Sequence, residues 1–151
     1  MFISVGPAGY TSAALVALGN QATSVIPSSF LSLPDFDVGA AIKVMGAMAG
    51  MFLWLVAFWF FALSLVGVLA GARQMTFTLN WWAFIFPNAG LTLAAIQIGN
   101  ALDSDSIRGV CSAMTILLVM AWIFVAISHI RALFRKQILF EGKDEDDGMV
   151  L

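Results

Sequence analysis

Charge is what this sequence has least of. Only 11% of its 151 residues are Asp, Glu, Lys or Arg, and 61% are hydrophobic, with a mean hydropathy of +0.95. A soluble domain is about 25% charged and about 45–50% apolar, so a water-exposed globule is excluded. There is one histidine and one cysteine, too few for a His/Cys metal cluster. Cys111 alone makes no internal disulfide, and its place in an apolar run says nothing of redox compartment. Seven basic residues against nine acidic ones give a net charge of −2 and a pI of about 5.0, which leaves no basic face for nucleic acid. No glycine-rich phosphate loop stands between a strand and a helix. The acids fall in connections and the tail, not as a facing pair inside a span, so intramembrane proteolysis by paired aspartates is unsupported. These absences predict a protein that is not an enzyme and needs no cofactor. No N-x-S/T sequon offers a glycosylation clue, and the lack of a basic n-region predicts no cleavable signal peptide.

What is present is length without charge. Residues 1–34, 44–72 and 74–102 contain no Asp, Glu, Lys or Arg, and residues 109–130 carry only His129. A bilayer core needs roughly 20 apolar residues per helix, and backbone amides in lipid pair within the helix. An all-α integral membrane protein with four spans follows, at about 7–26, 40–70, 79–102 and 110–134, in a transmembrane region 1–136. The second run is long enough to tilt or protrude. Asp35 and Asp37 precede the second span, where negative charge suits the helix dipole. Thr76, Thr78 and Asn80 precede the third, and "DSDS", Asp103 to Ser106, precedes the fourth with several N-cap candidates.

Five of the seven basic residues (Arg73, Arg131, Arg135, Lys136 and Lys143) share one side of the membrane. Lys43 and Arg108 fall on the other, with the acidic connections. The positive-inside rule then puts both ends in the cytoplasm. The tail 137–151 is read as polar, cytoplasmic and disordered.

Two stretches interrupt the apolar pattern. In "WWAFIFPNAG", Trp81 to Gly90, Pro87 removes a backbone hydrogen bond and bends a helix. Asn88 adds an amide at the same level, and Thr92 shares its face one turn on. In "SVGPAGYTS", Ser4 to Ser12, Gly6, Pro7 and Gly9 weaken the first span, while Ser4, Thr11 and Ser12 bring hydroxyls. Two corresponding helices broken by Gly and Pro point to a transport path between them. The plainer alternatives are a kinked helix whose polar groups bind its neighbours and an N-terminal turn entering the membrane. Trp81 and Trp82 suit an interfacial belt. Phe86 lies about 10 Å along an α-helix from Leu79.

The second span holds "GAMAG", Gly46 to Gly50, and "GVLAG", Gly67 to Gly71. Each sets two glycines on one face for close helix packing, so this helix reads as scaffold. His129, Arg131, Arg135 and Lys136 close the fourth span as headgroup anchors, or alternatively form a basic vestibule that concentrates anions. Lys43 snorkels to the outer interface.

The patterns SVGP-x-G-x-T and WWA-x-x-FPN-x-G-x-T, with the segments around them, resemble the malic acid transporters of the fungal kind. Those belong to the superfamily of tellurite-resistance proteins, sulfite exporters and plant slow anion channels. The resemblance runs from Met1 to about Lys136. It implies a ten-helix bundle of five hairpins around a pore lined by the odd-numbered helices, of which this chain resembles helices seven to ten. The first and third spans would then line the pore, contributing Gly6, Pro7, Gly9, Thr11, Pro87, Asn88 and Thr92. The gating phenylalanine of the family maps best to Phe86, with Phe84 second. Ala8 replaces a second proline usual in the first motif.

The implied function is transport of malate and other C4-dicarboxylates across the plasma membrane, without ATP. Sulfite, nitrate or chloride is the alternative cargo, and a non-transporting four-helix scaffold is the alternative class. Partners are lipid and small organic or inorganic anions. Four helices alone do not enclose such a pore, so missing N-terminal helices or a homo-oligomer, in this family a trimer, would complete it.

Overall fold

The computed structural model describes residues 2–27, 30, 36–71 and 79–134. Expectations for Asp35, Arg73, Thr76, Thr78, Arg135, Lys136, Lys143 and the tail 137–151 lie outside them. Among the described residues there are four α-helices: α1 (Val5–Val25), α2 (Val38–Gly71), α3 (Phe86–Ala101) and α4 (Asp105–Phe134). A 3-10 turn, Phe2–Ser4, leads into α1, and a longer 3-10 helix, Leu79–Phe84, leads into α3. All four segments are long and apolar enough to cross a membrane.

Pro7 does not kink α1. It occupies the third helical position, where the missing N–H has no intrahelical acceptor to lose. The 3-10 turn carries the helical path back to Phe2, which is 4% exposed and packs with Val5, Ala57 and Leu91. The first span therefore begins earlier than the proline suggested. Pro87 likewise sits at the start of α3, in its first two positions, and not mid-helix. The third span is a 3-10 helix joined to an α-helix, not one kinked α-helix.

Asp37 caps α2: its carboxylate accepts the Ala40 N–H at 3.0 Å and its carbonyl accepts the Ala41 N–H at 3.1 Å. The α3–α4 turn closes with the Ser104 N–H on the Gly99 carbonyl at 3.2 Å, which requires Asp103 to take φ 48°. A short polar side chain tolerates that left-handed conformation. Arg108 then bridges Asp103 at 2.5 Å and Asp105 at 2.9 Å across the turn.

The helices divide into an inner and an outer pair. In their apolar stretches 44% and 50% of residues are buried in α1 and α3, against 11% in α2 and 11% in α4. The outer pair is also the more apolar, as lipid-facing helices must be. α1 and α2 run antiparallel in close contact. A Cβ on Gly46 would lie 2.7 Å from the Leu15 carbonyl oxygen, and one on Gly50 would overlap Val16. The buried Ser12 hydroxyl donates to the Gly50 carbonyl at 2.6 Å. Gly67 and Gly71, at the other end of α2, are half-buried.

The Trp54 indole N–H, midway along α2, donates to the Leu91 carbonyl on α3 at 3.2 Å. α4 leans on the other side of α3. There the Trp81 ring tilts against that of Phe124 with centroids 6.0 Å apart, and Trp82 meets His129 edge-on at 6.1 Å. The tryptophans read as a belt thus also form a seam to α4.

Candidate functional site

α1 and α3 are parallel and cross where their backbones nearly touch. A Cβ on Gly9 would stand 2.7 Å from both the Gly90 carbonyl carbon and the Leu91 nitrogen. Gly6 faces Pro87 one turn earlier, at 3.6 Å. Gly6 and Gly9 are therefore buried at the crossing; Gly6 also borders the groove beside it, whereas Gly9 meets only the α3 backbone.

Beside this crossing runs a groove of about 570 Å³, lined by residues including Ile3, Pro7, Tyr10, Trp82, Ala83 and Phe86. Pro7 is exposed on its wall, and Thr11, one turn on, is exposed on the same face of α1. Phe86 is 70% exposed at the mouth of α3. Phe84 points elsewhere: its ring lies 5.1 Å from that of the buried Phe2 and 5.8 Å from Trp81. Because the segment before Phe86 is a 3-10 helix, Phe86 lies about 13 Å beyond Leu79, at a rise of about 2 Å per residue there, farther than an α-helix would carry it.

Asn88 and Thr92 serve α3 itself. The Asn88 amide nitrogen donates to the Phe84 carbonyl at 2.7 Å, just ahead of the first α-helical backbone bond, Ala89 N–H to Ile85 O. Asn88 Oδ1 is buried without a partner. The Thr92 hydroxyl donates back to the Asn88 carbonyl at 2.9 Å, and Thr92 is only 6% exposed. Thr92 is thus turned away from the open face, which corrects its placement as a lining residue. The physical reason is the back-bond: a threonine hydroxyl inside an apolar helix finds its acceptor one turn behind.

Tyr10 is the residue that sequence reading passed over. It is the only tyrosine in the chain. Its hydroxyl donates to the Phe86 carbonyl at 3.1 Å, and the two rings lie 5.2 Å apart at 39°. Its one signal in the sequence was its position inside the first motif.

Two further grooves are poorer candidates. One of about 450 Å³ between α2, α3 and α4, lined by Met51, Trp54, Ile98, Val110 and Cys111 among others, has an apolar wall that offers an anion nothing. The other, of about 420 Å³, holds Asn100, Arg108 and Thr115, but its cation is already paired with Asp103 and Asp105. Among the described residues no group of three His, Cys, Asp or Glu is placed to hold a metal.

An inner pair of parallel, glycine-crossed helices with a more apolar outer pair, all four long enough to cross a bilayer, defines an integral membrane protein. The chain belongs to the voltage-dependent anion channel (SLAC1) family, which matches residues 1–130. It is a family of anion channels and transporters, not of enzymes. Among its relatives is the malic acid transport protein of Schizosaccharomyces pombe, 29% identical over 149 residues, which are 97% of this chain and 33% of the relative. A second protein of that organism, whose name also refers to malic acid transport, is 27% identical over 154 residues, 100% of this chain and 35% of its own length. The chain thus spans about a third of the length of these curated relatives. No solved structure matches it significantly.

Proposed function

We propose that this chain forms one wall of a transmembrane path for organic anions, with malate and other C4-dicarboxylates as cargo and Phe86 as the occluding side chain. One observation carries the reading. An aromatic ring 70% exposed stands at the break of an inner helix, over a groove shared with the other inner helix. A large ring left exposed on the more polar, inner pair is unusual, since the outer pair is where apolar side chains meet lipid. The names of the relatives supply the cargo. Selectivity for anions comes from the positive ends of α1 and α3, which start on the same side. Among the described residues no Lys or Arg lies deep in a span. The rest of the wall comes from further helices or further copies, trimers being the family expectation. The membrane is the plasma membrane, with both ends of the segment on its cytoplasmic side.

Malate uptake by the assembled transporter tests this. Phe86→Ala is expected to raise anion conductance several-fold, and sulfite is expected to compete poorly with malate. Unchanged conductance in that variant would remove Phe86 as the gate. Full competition by sulfite would replace the cargo.

A further inference from the structure

The close crossing of α1 and α3 leaves a space beside Gly90, and Tyr10 fills it. A Cβ on Gly90 would lie 2.8 Å and 2.9 Å from two atoms of the Tyr10 ring. The ring is therefore clamped against the α3 backbone on one side. On another it contacts the Phe86 ring at 5.2 Å, while its hydroxyl donates to the Phe86 carbonyl at 3.1 Å. A phenol in apolar surroundings requires such an acceptor, and here the acceptor belongs to the residue whose ring it touches. Side chain and backbone of Phe86 are thus both held by one residue of the neighbouring helix. That residue is in turn fixed by the absence of a side chain at Gly90.

We infer that Tyr10 is a positioning residue that holds Phe86 in its occluding orientation, so that movement of α1 against α3 is transmitted to the gate through one aromatic contact and one hydrogen bond. This rests on the reading of Phe86 as the occluding side chain. The two contacts make separable contributions. Tyr10→Phe keeps the ring wedge and loses the hydrogen bond. Tyr10→Ala loses both. An aromatic pair of this kind shifts an orientation equilibrium by about two- to tenfold, so Tyr10→Ala raises conductance by about that factor and Tyr10→Phe by less. In a Phe86→Ala background Tyr10→Ala adds nothing further, because no ring remains to be positioned.

The experiment pairs flux with a probe at the contact. Tyr10 is the sole tyrosine of this chain, and its 3-fluorotyrosine ¹⁹F resonance is assigned in the complete transporter by its loss in Tyr10→Phe. Malate conductance is measured for the four combinations of Tyr10→Ala and Phe86→Ala in the complete transporter, normalised to protein in the membrane. The ¹⁹F shift is measured for wild type, Phe86→Leu and, as a control along α3, Leu93→Ala. The inference expects non-multiplicative conductances and a resonance moved by Phe86→Leu but not by Leu93→Ala. Raised conductance in Phe86→Ala with wild-type behaviour of Tyr10→Ala overturns the positioning role alone. Multiplicative effects, or a resonance indifferent to Phe86→Leu, do the same. Unchanged conductance in Phe86→Ala overturns the gate itself, and the positioning role with it.

Discussion

At the scale of single residues, the two inner glycines make opposite demands although they lie three positions apart. Gly9 meets the α3 backbone, which has no flexible end to yield: a methyl there would stand 2.7 Å from main-chain atoms of Gly90 and Leu91. Gly9→Ala must push α1 and α3 apart and is expected to cost about 1–3 kcal/mol, as overpacking does elsewhere. Gly6→Ala would place its methyl 3.6 Å from Pro87, ordinary contact. Since alanine also favours the helix by about 0.5–1 kcal/mol over glycine, that variant should be neutral or slightly stabilised. Denaturant titration of the purified protein in mixed micelles checks both. Equal losses at the two positions would contradict the crossing described. The motif that contains them was plain in the sequence, but its meaning was not. Glycine beside proline reads as a broken helix, and the close approach of a second backbone shows only when α3 is in place.

At the scale of elements, the third span shows what a linear pattern conceals. Proline inside an apolar run reads as a kink, because the run carries no mark of where one kind of helix gives way to another. Here the chain arrives as a 3-10 helix and starts its α-helix at Phe86, where the proline sits without losing an internal bond. The Phe84 carbonyl, left ahead of the first α-helical bond, is taken by the Asn88 side chain. Asn88→Leu leaves that carbonyl without this donor in apolar surroundings and is expected to destabilise by about 1–3 kcal/mol. The asparagine reads from sequence as a polar contact to a path. Its geometry makes it a device of the helix start.

The α1–α2 joint is held differently, by glycine approach together with one buried hydroxyl. Interhelical hydrogen bonds of this kind average about 0.6 kcal/mol in membranes, with a maximum of about 1.7. Ser12→Ala should therefore cost well under Gly46→Leu, whose side chain has the Leu15 carbonyl in its way. Steric-trap unfolding in bicelles ranks the two. A larger loss for Ser12→Ala would mean that the hydroxyl, not the glycine approach, holds the joint.

At the scale of the whole molecule, the division into inner and outer helices came from the family resemblance, and composition agrees with it because lipid demands apolar outer faces. The second and fourth runs are the more apolar, and they are the helices left uncovered. Which residues of the inner pair face each other was not legible, since α1 and α3 are small-residue helices with weak apolar stripes. Orientation in the bilayer makes the sharpest demand on the whole arrangement. Ile3, 70% exposed in the 3-10 turn before α1, and Ser104, in the α3–α4 turn, are separated by three spans. Three crossings place them on opposite sides whatever the orientation. In the orientation proposed above, Ile3 lies on the cytoplasmic side and Ser104 on the exterior.

In a Cys111→Ser background, Ser104→Cys should react with a membrane-impermeant maleimide in intact cells, and Ile3→Cys only after permeabilisation. The inverse pattern would reverse the orientation while keeping three crossings, and with it the side from which α1 and α3 present their positive ends to an anion. Labelling of both from the same side would contradict the crossings themselves, because α1, α2 and α3 cannot all span and return Ser104 to the side of Ile3.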